Sequence, residues 1–195
     1  MTIIEMTVYI AVFIFIMLAL TISIRYFYRT SNYSIQQAQA TASAQRGIDK
    51  VMRVVREAAY ASNGSYPIVS FGPNDLKFYA DVDADAFVEK VHYYVASTTL
   101  TSGSLIQGVI EPSGDPSVYT GAEATSTLSN YVHNLDQSVS TFTYYDANGA
   151  QITDYTQIAS VRFVTINMVV DVDPNRAPVI LTLRSSAALR NLVGK

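Results

Sequence analysis

The sequence MTVYIAVFIFIMLALTISI, residues 6–24, decides how this chain is organised. It contains no charged residue, no Gly and no Pro, and its 19 residues match the roughly 20 that a helix needs to cross a bilayer. The basic n-region, short apolar core and small-residue cleavage site of a secretory signal are missing. We therefore predict a retained membrane-type helix near the N-terminus.

The charges that flank this stretch are unusual for a simple anchor. Glu5 is the only charged side chain before it, whereas Arg25 and Arg29 follow it. The positive-inside rule would therefore place the bulk of the chain in the cytoplasm, in conflict with an exported domain. We expect that the chain is already processed, and that a basic leader first held the N-terminus on the cytoplasmic side.

Length and composition exclude several classes of protein. The 195 residues leave room for one globular domain beside the membrane-type helix. A net charge of -3 without a long Lys/Arg run argues against a nucleic-acid surface, and the absence of Cys excludes disulfides and thiolate catalysis. His92 and His133 are accompanied by no recognisable nucleophile motif or ligand spacing, so we interpret them as surface or packing residues. We predict that the chain is not an enzyme.

The helix is predicted to continue beyond the apolar stretch. Apolar residues recur mostly at three- or four-residue steps through residues 35–59, with charged residues between them, which is typical of an amphipathic helix. The signals Asn63, Gly64 and Pro67 place its end near residue 61. We favour one continuous helix over two helices with a bend near residues 31–32, because neither Pro nor a Gly pair interrupts the segment.

The remainder is predicted to form an antiparallel sheet that covers the apolar stripe of the helix. Residues 111–134, with two Pro and many Ser and Thr, are predicted to be a long loop with a short helix near residues 128–135. The fold class is thus α+β, divided into a membrane-type helix (1–28), its amphipathic continuation (29–62) and a β-rich domain (63–195). Runs rich in β-branched and aromatic residues predict seven strands, at residues 66–71, 76–80, 87–95, 104–110, 139–145, 158–171 and 178–189.

The first six residues, MTIIEM, followed directly by an apolar helix, resemble the mature N-terminus of type IV pilins and type II secretion pseudopilins. That family usually begins with an N-methylated Phe, where this chain has Met1. Residues 53–59, 108–112 and 171–176 are similar to minor pilins and J-type pseudopilins. The resemblance implies a pilin-like fold, processing by a prepilin peptidase, and N-methylation as a possible modification of Met1.

The resemblance also implies a role for Glu5 in assembly. In the family this carboxylate pairs with the N-terminal amine of a neighbouring subunit, here the amine of Met1, which sets the axial register. An α-amino group has an ordinary pKa of about 7.7–8.0 and is largely cationic at neutral pH. The alternative is that Glu5 only occupies the first helical turn, where the macrodipole favours an acid, or the headgroup zone.

These observations predict a structural subunit of a pilus-like surface filament, used in adhesion, motility or DNA uptake. Its partners would be further copies of itself, other pilins and the inner-membrane assembly machinery, with nucleic acid only in a DNA-uptake pilus. The monomer would wait in the cytoplasmic membrane and the filament would be extracellular. Two alternatives are a pseudopilin of a type II secretion system, and a membrane-anchored module that binds a ligand through residues 111–134.

One acidic cluster predicts a metal site. Asp81, Asp83 and Asp85 alternate along the chain, with Glu89 further on, and closely placed carboxylates suit a hard cation such as Ca²⁺. Ala86 stands where an EF-hand-type loop would need Gly, and an ordinary acidic hairpin tip is the alternative. Asp171, Asp173 and Asn175 form a shorter pattern of the same kind. Calcium is the only cofactor for which the sequence offers an argument.

Overall fold

A computed structural model of the protein describes residues 2–85, 87–97, 102–173 and 180–192. Helix α1 spans Ile3–Arg56 and is one helix of 54 residues. The prediction of a continuous helix is therefore confirmed, and the alternative of two helices with a bend near residues 31–32 is wrong. The α+β class, with a long N-terminal helix packed on an antiparallel sheet, is confirmed as well.

The predicted helix end near residue 61 is wrong by about one turn, because tertiary hydrogen bonding ends α1 earlier. The Ala59 N–H donates to the carbonyl of Tyr79 at 2.9 Å and so leaves the helical pattern. The Asn63–Gly64 signal instead marks a turn. Gly64 has φ +81°, a conformation that suits a residue without Cβ, and its N–H donates to the Ala61 carbonyl at 2.8 Å.

The chain divides into two compact units, Met1–Gln39 and Ala40–Lys195. The first unit consists of the apolar part of α1 and the turns that follow it. In the second unit, residues 40–56 of α1 bury their apolar stripe in the same core as the sheet, as the amphipathic pattern predicts. The helix side chains of that core are Ala40, Ala44, Ile48, Val51, Met52, Val54 and Val55. The division at residues 28 and 62 stays a prediction.

The described strands form one antiparallel sheet. Its order is β1-β2-β3-β4-β5-β8-β6-β7, and β9 also pairs with β8. Alternation of buried and exposed residues, clearest in β3, turns one face of a strand toward the core. The strands are β1 Ile68–Phe71, β2 Asp75–Ala80, β3 Glu89–Ser97, β4 Gly103–Ile110, β5 Ala124–Val132, β6 Phe142–Tyr145, β7 Gln151–Ile152, β8 Phe163–Val170 and β9 Leu181–Ala188.

The prediction of a long loop in residues 111–134 is confirmed for residues 111–123 and wrong for the rest, and the predicted short helix near residues 128–135 is wrong. Strand β5 occupies Ala124–Val132 and pairs with β4, and Ser113 forms an isolated bridge with Val118. Thr is a good strand residue, and most side chains of β5 are exposed, so its backbone pairing needs no apolar alternation. Residues 158–160 form a 3₁₀ turn ahead of β8. Of the last predicted strand, residues 178–179 lie outside the described residues.

A buried amide joins the end of β5 to β8. Asn134 is fully buried, and its Nδ2 donates to the Asn167 carbonyl at 2.9 Å and to the Val139 carbonyl at 3.3 Å. Its Oδ1 accepts the Val169 N–H at 2.9 Å. Three polar groups of the backbone, among them the N–H of the buried Val169, thereby gain a hydrogen-bond partner.

Strands β3 and β4 approach closely at Gly103. A Cβ added there would lie 2.8 Å from the Ala96 carbonyl oxygen and 3.2 Å from that of Val132. Both obstacles are backbone atoms, which cannot rotate away as a side chain can. The position therefore excludes side chains for a steric reason.

Candidate functional site

The first candidate site is the apolar surface of α1 in residues 3–28. Every large apolar side chain in this range is exposed, from 49% at Met17 to 88% at Ile3. A soluble monomer rarely exposes a continuous apolar surface of this extent, so lipid or other protein must cover it. This part of α1 is long and apolar enough to cross a membrane and is a candidate membrane anchor.

Glu5 lies in the first turn of α1, within a capping box. Its Oε2 accepts the Thr2 N–H at 2.7 Å, and its own N–H donates to Thr2 Oγ1 at 3.4 Å. Thr2 is the N-cap and Glu5 the third helical residue, so two free donors of the helix terminus are satisfied reciprocally. The carboxylate also lies where the helix dipole favours negative charge.

This geometry gives Glu5 a partner within its own chain. The role of Thr2 was missed at the sequence level, although Thr-x-x-Glu ahead of an apolar run is a readable capping signature. Glu5 is exposed, so its carboxylate remains accessible to a second partner. Met1, the other residue of the predicted assembly contact, lies outside the described residues.

The second candidate site is the acidic loop, described at residues 81–85 and 87–88, together with Glu89 at the start of β3. Asp81, Asp83 and Glu89 each place one carboxylate oxygen within 4.8 Å of the others. Asp85 does not belong to this group, and its Oδ1 accepts the Phe87 N–H at 2.6 Å. The structure thus brings together three of the four predicted ligands.

Local hydrogen bonds shape the acidic loop. The Ala84 N–H donates to Asp81 Oδ1 at 2.6 Å, and the Asp85 N–H donates to Asp83 Oδ1 at 3.2 Å. Ala84 has φ +65°, so the left-handed position of this turn falls on a residue with a side chain. Ala86, at the position that an EF-hand would give to Gly, lies outside the described residues.

Glu89 is a buried acid with one unused oxygen. It is 1% exposed; its Oε2 accepts the Val82 N–H at 2.7 Å, and its Oε1 has no hydrogen-bond partner among the residues that the structure describes. Burial raises the pKa of Glu89; the Val82 hydrogen bond opposes this shift, and the charges of Glu111 and Asp83 add to it. Burial and the charges of Asp83 and Asp85 likewise raise the pKa of Glu111. Negative charge is therefore concentrated around the loop.

The two histidines use both ring nitrogens in hydrogen bonds. His92 contacts Asp75 through Nε2 at 2.5 Å and Glu123 through Nδ1 at 3.0 Å. Burial raises the pKa of Asp75, but the hydrogen bond from His92 and the charges of His92 and Lys77 outweigh it, so the pKa lies below its ordinary value. These partners are 17 and 31 residues from His92 in sequence, which is why the sequence did not reveal them.

His133 is buried in a different environment. Its Nδ1 contacts Asp136 at 2.6 Å and its Nε2 contacts the Asp171 carbonyl at 3.0 Å. The predicted Asp171 pattern is present as a turn in which the Asp173 N–H donates to Asp171 Oδ1 at 3.1 Å. Asn175, its third member, lies outside the described residues. Neither histidine presents an unbonded imidazole nitrogen as a base or a metal ligand.

No protein-family model, curated protein or solved structure matches the chain. Arguments about its function therefore depend on its own residues and on the N-terminal resemblance.

Proposed function

We propose that this chain is a structural, non-enzymatic subunit of a helical filament of the type IV pilin kind, and that α1 assembles it. The observation that supports this most strongly is the exposed apolar surface of residues 3–28, headed by a single acid. In the monomer, lipid covers this surface in the cytoplasmic membrane. In the filament, the corresponding helices of neighbouring subunits cover it.

Helix packing within lipid supplies no hydrophobic driving force, because lipid tails are as apolar as the side chains they would release. Assembly must therefore gain from close packing and from specific polar contacts. Glu5 is the only carboxylate in residues 2–28, and it is exposed at the start of the helix. A contact between Glu5 and the N-terminal amine of a neighbour is a selective contact of this kind and fixes the axial step.

The capping box is compatible with that contact. A carboxylate has two oxygens with about four lone-pair sites, and the bond from Thr2 occupies one of them. A neighbouring amine can therefore approach Glu5 without breaking the cap. In an environment of low dielectric constant, such an ion pair is stronger than it is in water.

The β-rich unit would lie on the outside of the filament and contact surfaces, other cells or DNA. A prepilin peptidase and an inner-membrane assembly machine would be its partners before assembly. A pseudopilin of a type II secretion system is the alternative within the family. The other alternative, an anchored module that binds through residues 111–134, is less favoured, because β5 makes part of that segment a paired strand.

The assembly role is tested with Glu5→Ala in cells that carry a pilus assembly machine. We expect the variant to insert into the membrane at the level of the parent chain but to yield no sheared fibres in electron micrographs. Glu57→Ala is the matched control, because Glu57 is also an exposed acid of this chain but follows α1 and lies outside the apolar stretch. Normal fibres from Glu5→Ala would contradict the assembly role.

The same preparation distinguishes the alternatives. A pilus subunit is recovered as long fibres of one protein in the sheared fraction. A pseudopilin yields no long surface fibres at native expression and depends on a secretion machine. An anchored module remains with the membranes and extracts as a monomer.

A further inference from the structure

Independently of the filament role, we propose that the acidic loop binds one Ca²⁺ ion through the carboxylates of Asp81, Asp83 and Glu89. The three residues meet because β2 and β3 pair antiparallel, with Ala80 opposite Glu89. In this register, Glu89 lies opposite the residue that directly precedes the loop with Asp81 and Asp83.

The spacing of the three carboxylates fits a large hard cation. One oxygen of each lies within 4.8 Å of the others. Ca²⁺ binds oxygen at about 2.3–2.6 Å, so oxygens up to about 5 Å apart can share one ion. Mg²⁺ binds at about 2.0–2.1 Å with nearly ideal octahedral geometry, which limits the separation to about 4.2 Å. A separation of at most 4.8 Å is compatible with Ca²⁺. The irregular geometry of a loop also favours Ca²⁺, because Mg²⁺ requires nearly ideal octahedral coordination.

Glu89 supplies the observation that an acidic turn alone would lack. Its side chain is almost completely buried, yet none of the described residues forms a hydrogen bond with Oε1. An unpaired buried polar atom is destabilising, and a charged one more so, so native proteins normally satisfy such atoms. Because Glu89 belongs to the same carboxylate group as Asp81 and Asp83, a shared cation would compensate its charge.

The loop leaves oxygens available for such an ion. The hydrogen bonds between described residues of the loop use Oδ1 of Asp81 and Oδ1 of Asp83, and the Oδ2 atoms can act as ligands. Glu111 adds to the negative potential around Asp83, and its charge raises the pKa of Glu89. A cation would relieve the repulsion among these acids.

Two basic side chains are the alternative to a bound cation as neutralising partners of the acidic loop. Lys50 and Arg53 line a cavity of about 490 Å³ together with Asp81 and Asp83. Among the described residues, however, ion pairs within 4.0 Å involve the carboxylates of Asp75, Glu123 and Asp136 and not those of the acidic loop. The basic residues therefore do not neutralise the loop directly.

The proposal is tested by isothermal titration of the full chain in mild detergent, freed of metal with a chelator, with CaCl₂ and in parallel with MgCl₂. We expect one Ca²⁺ per chain and weaker binding of Mg²⁺. Asp83→Asn and Glu89→Gln should each weaken Ca²⁺ binding at least about tenfold, equivalent to about 1.4 kcal/mol. Asp146→Asn removes the same charge from a half-buried residue outside the acidic loop and keeps its Oδ1 acceptor, so it should change the affinity less than about twofold.

Three outcomes would overturn the proposal. They are the absence of saturable Ca²⁺ binding to the parent chain, unchanged binding in the Asp83→Asn/Glu89→Gln double variant, and equal weakening by Asp146→Asn, which would indicate diffuse attraction of counterions. Near-UV circular dichroism of the 14 tyrosines checks that each variant is folded. Both substitutions preserve side-chain size, and Asp83 is exposed, so we expect folded proteins.

Discussion

Replacing Glu89 with Gln should make the protein more stable than the parent chain without Ca²⁺ and less stable than the parent chain with Ca²⁺. Without the ion, the buried carboxylate has one satisfied oxygen, bonded to Val82, and one unpaired oxygen. Gln keeps an acceptor for the Val82 N–H. Its NH₂ group replaces the unpaired oxygen and lies near the carboxylates of Asp81 and Asp83, which can accept its hydrogen bonds.

The expected change in the free energy of unfolding without Ca²⁺ follows from the contacts of Glu89. Removing an unsatisfied buried polar atom recovers about 1–3 kcal/mol. The bond from Val82 then has a neutral acceptor and weakens by about 1 kcal/mol, the difference between charged and neutral hydrogen bonds. We therefore expect Glu89→Gln to raise the free energy of unfolding by about 1 kcal/mol in the presence of a chelator.

Calcium should make the parent chain more stable than the Glu89→Gln variant. A ligand that binds only the folded state at one hundred times its Kd stabilises that state by about 2.7 kcal/mol. The parent chain gains this amount, and a variant that binds at least about tenfold more weakly gains at most about 1.4 kcal/mol at the same concentration. The difference of about 1.3 kcal/mol or more exceeds the advantage of about 1 kcal/mol, so the parent chain should be the more stable protein at this Ca²⁺ concentration.

The assay is urea unfolding of the full chain in mild detergent, followed by tyrosine fluorescence, which reports on the tyrosine-rich β unit of this Trp-free protein. Midpoints are compared in chelator and in saturating CaCl₂. Asp146→Asn again serves as the matched control. A variant that is less stable than the parent chain in chelator would refute the argument that the buried carboxylate is uncompensated.

Three further predictions concern the fold, and all are measured as free energies of unfolding in urea. Gly103→Ala should destabilise the protein by about 1–3 kcal/mol, because its Cβ would lie 2.8 Å from the Ala96 carbonyl oxygen. Asn134→Ala should destabilise it by about 2–4 kcal/mol, because buried backbone groups lose their partners. The lowered pKa of Asp75 contributes stability that is complete above its unfolded value near 3.8 and is lost as the pH falls through the lower folded value. Because His92 lowers this pKa, His92→Gln should reduce the loss of stability in this acid range.

Each of these predictions has an outcome that contradicts it. For Gly103→Ala and Asn134→Ala, that outcome is a free energy of unfolding within about 0.5 kcal/mol of the parent chain, the range of ordinary surface substitutions. Asn148→Ala, in an exposed turn, is the control for Asn134→Ala. For His92→Gln, the contradicting outcome is an acid-induced loss of stability equal to that of the parent chain.

The elements with strong sequence periodicity were predictable. The apolar run of residues 6–24 and the amphipathic stripe behind it predict α1. The runs of β-branched and aromatic residues predict strands at β3 and β8. These patterns are local consequences of the helical and strand periods, so a single sequence is sufficient to read them.

Features that depend on tertiary contacts were not predictable. Strand β5 carries hydroxyl side chains and forms because β4 offers a partner, and α1 ends where Ala59 meets the Tyr79 carbonyl. The sequence predicted Asp81, Asp83 and Glu89 as one cluster, but the exclusion of Asp85 from it was not predictable. In contrast, the capping role of Thr2 is a local signal that the sequence does contain.

The central claim is that copies of α1 pack side by side and that Glu5 meets the N-terminal amine of a neighbouring copy. Electron cryomicroscopy of filaments sheared from cells tests this most directly. The predicted reconstruction has residues 3–28 bundled at the fibre axis, with each Glu5 carboxylate within ion-pair distance of a neighbouring amine. A fibre in which Glu5 contacts only Thr2 of its own chain, or a chain recovered only as detergent-solubilised monomers, would contradict the claim.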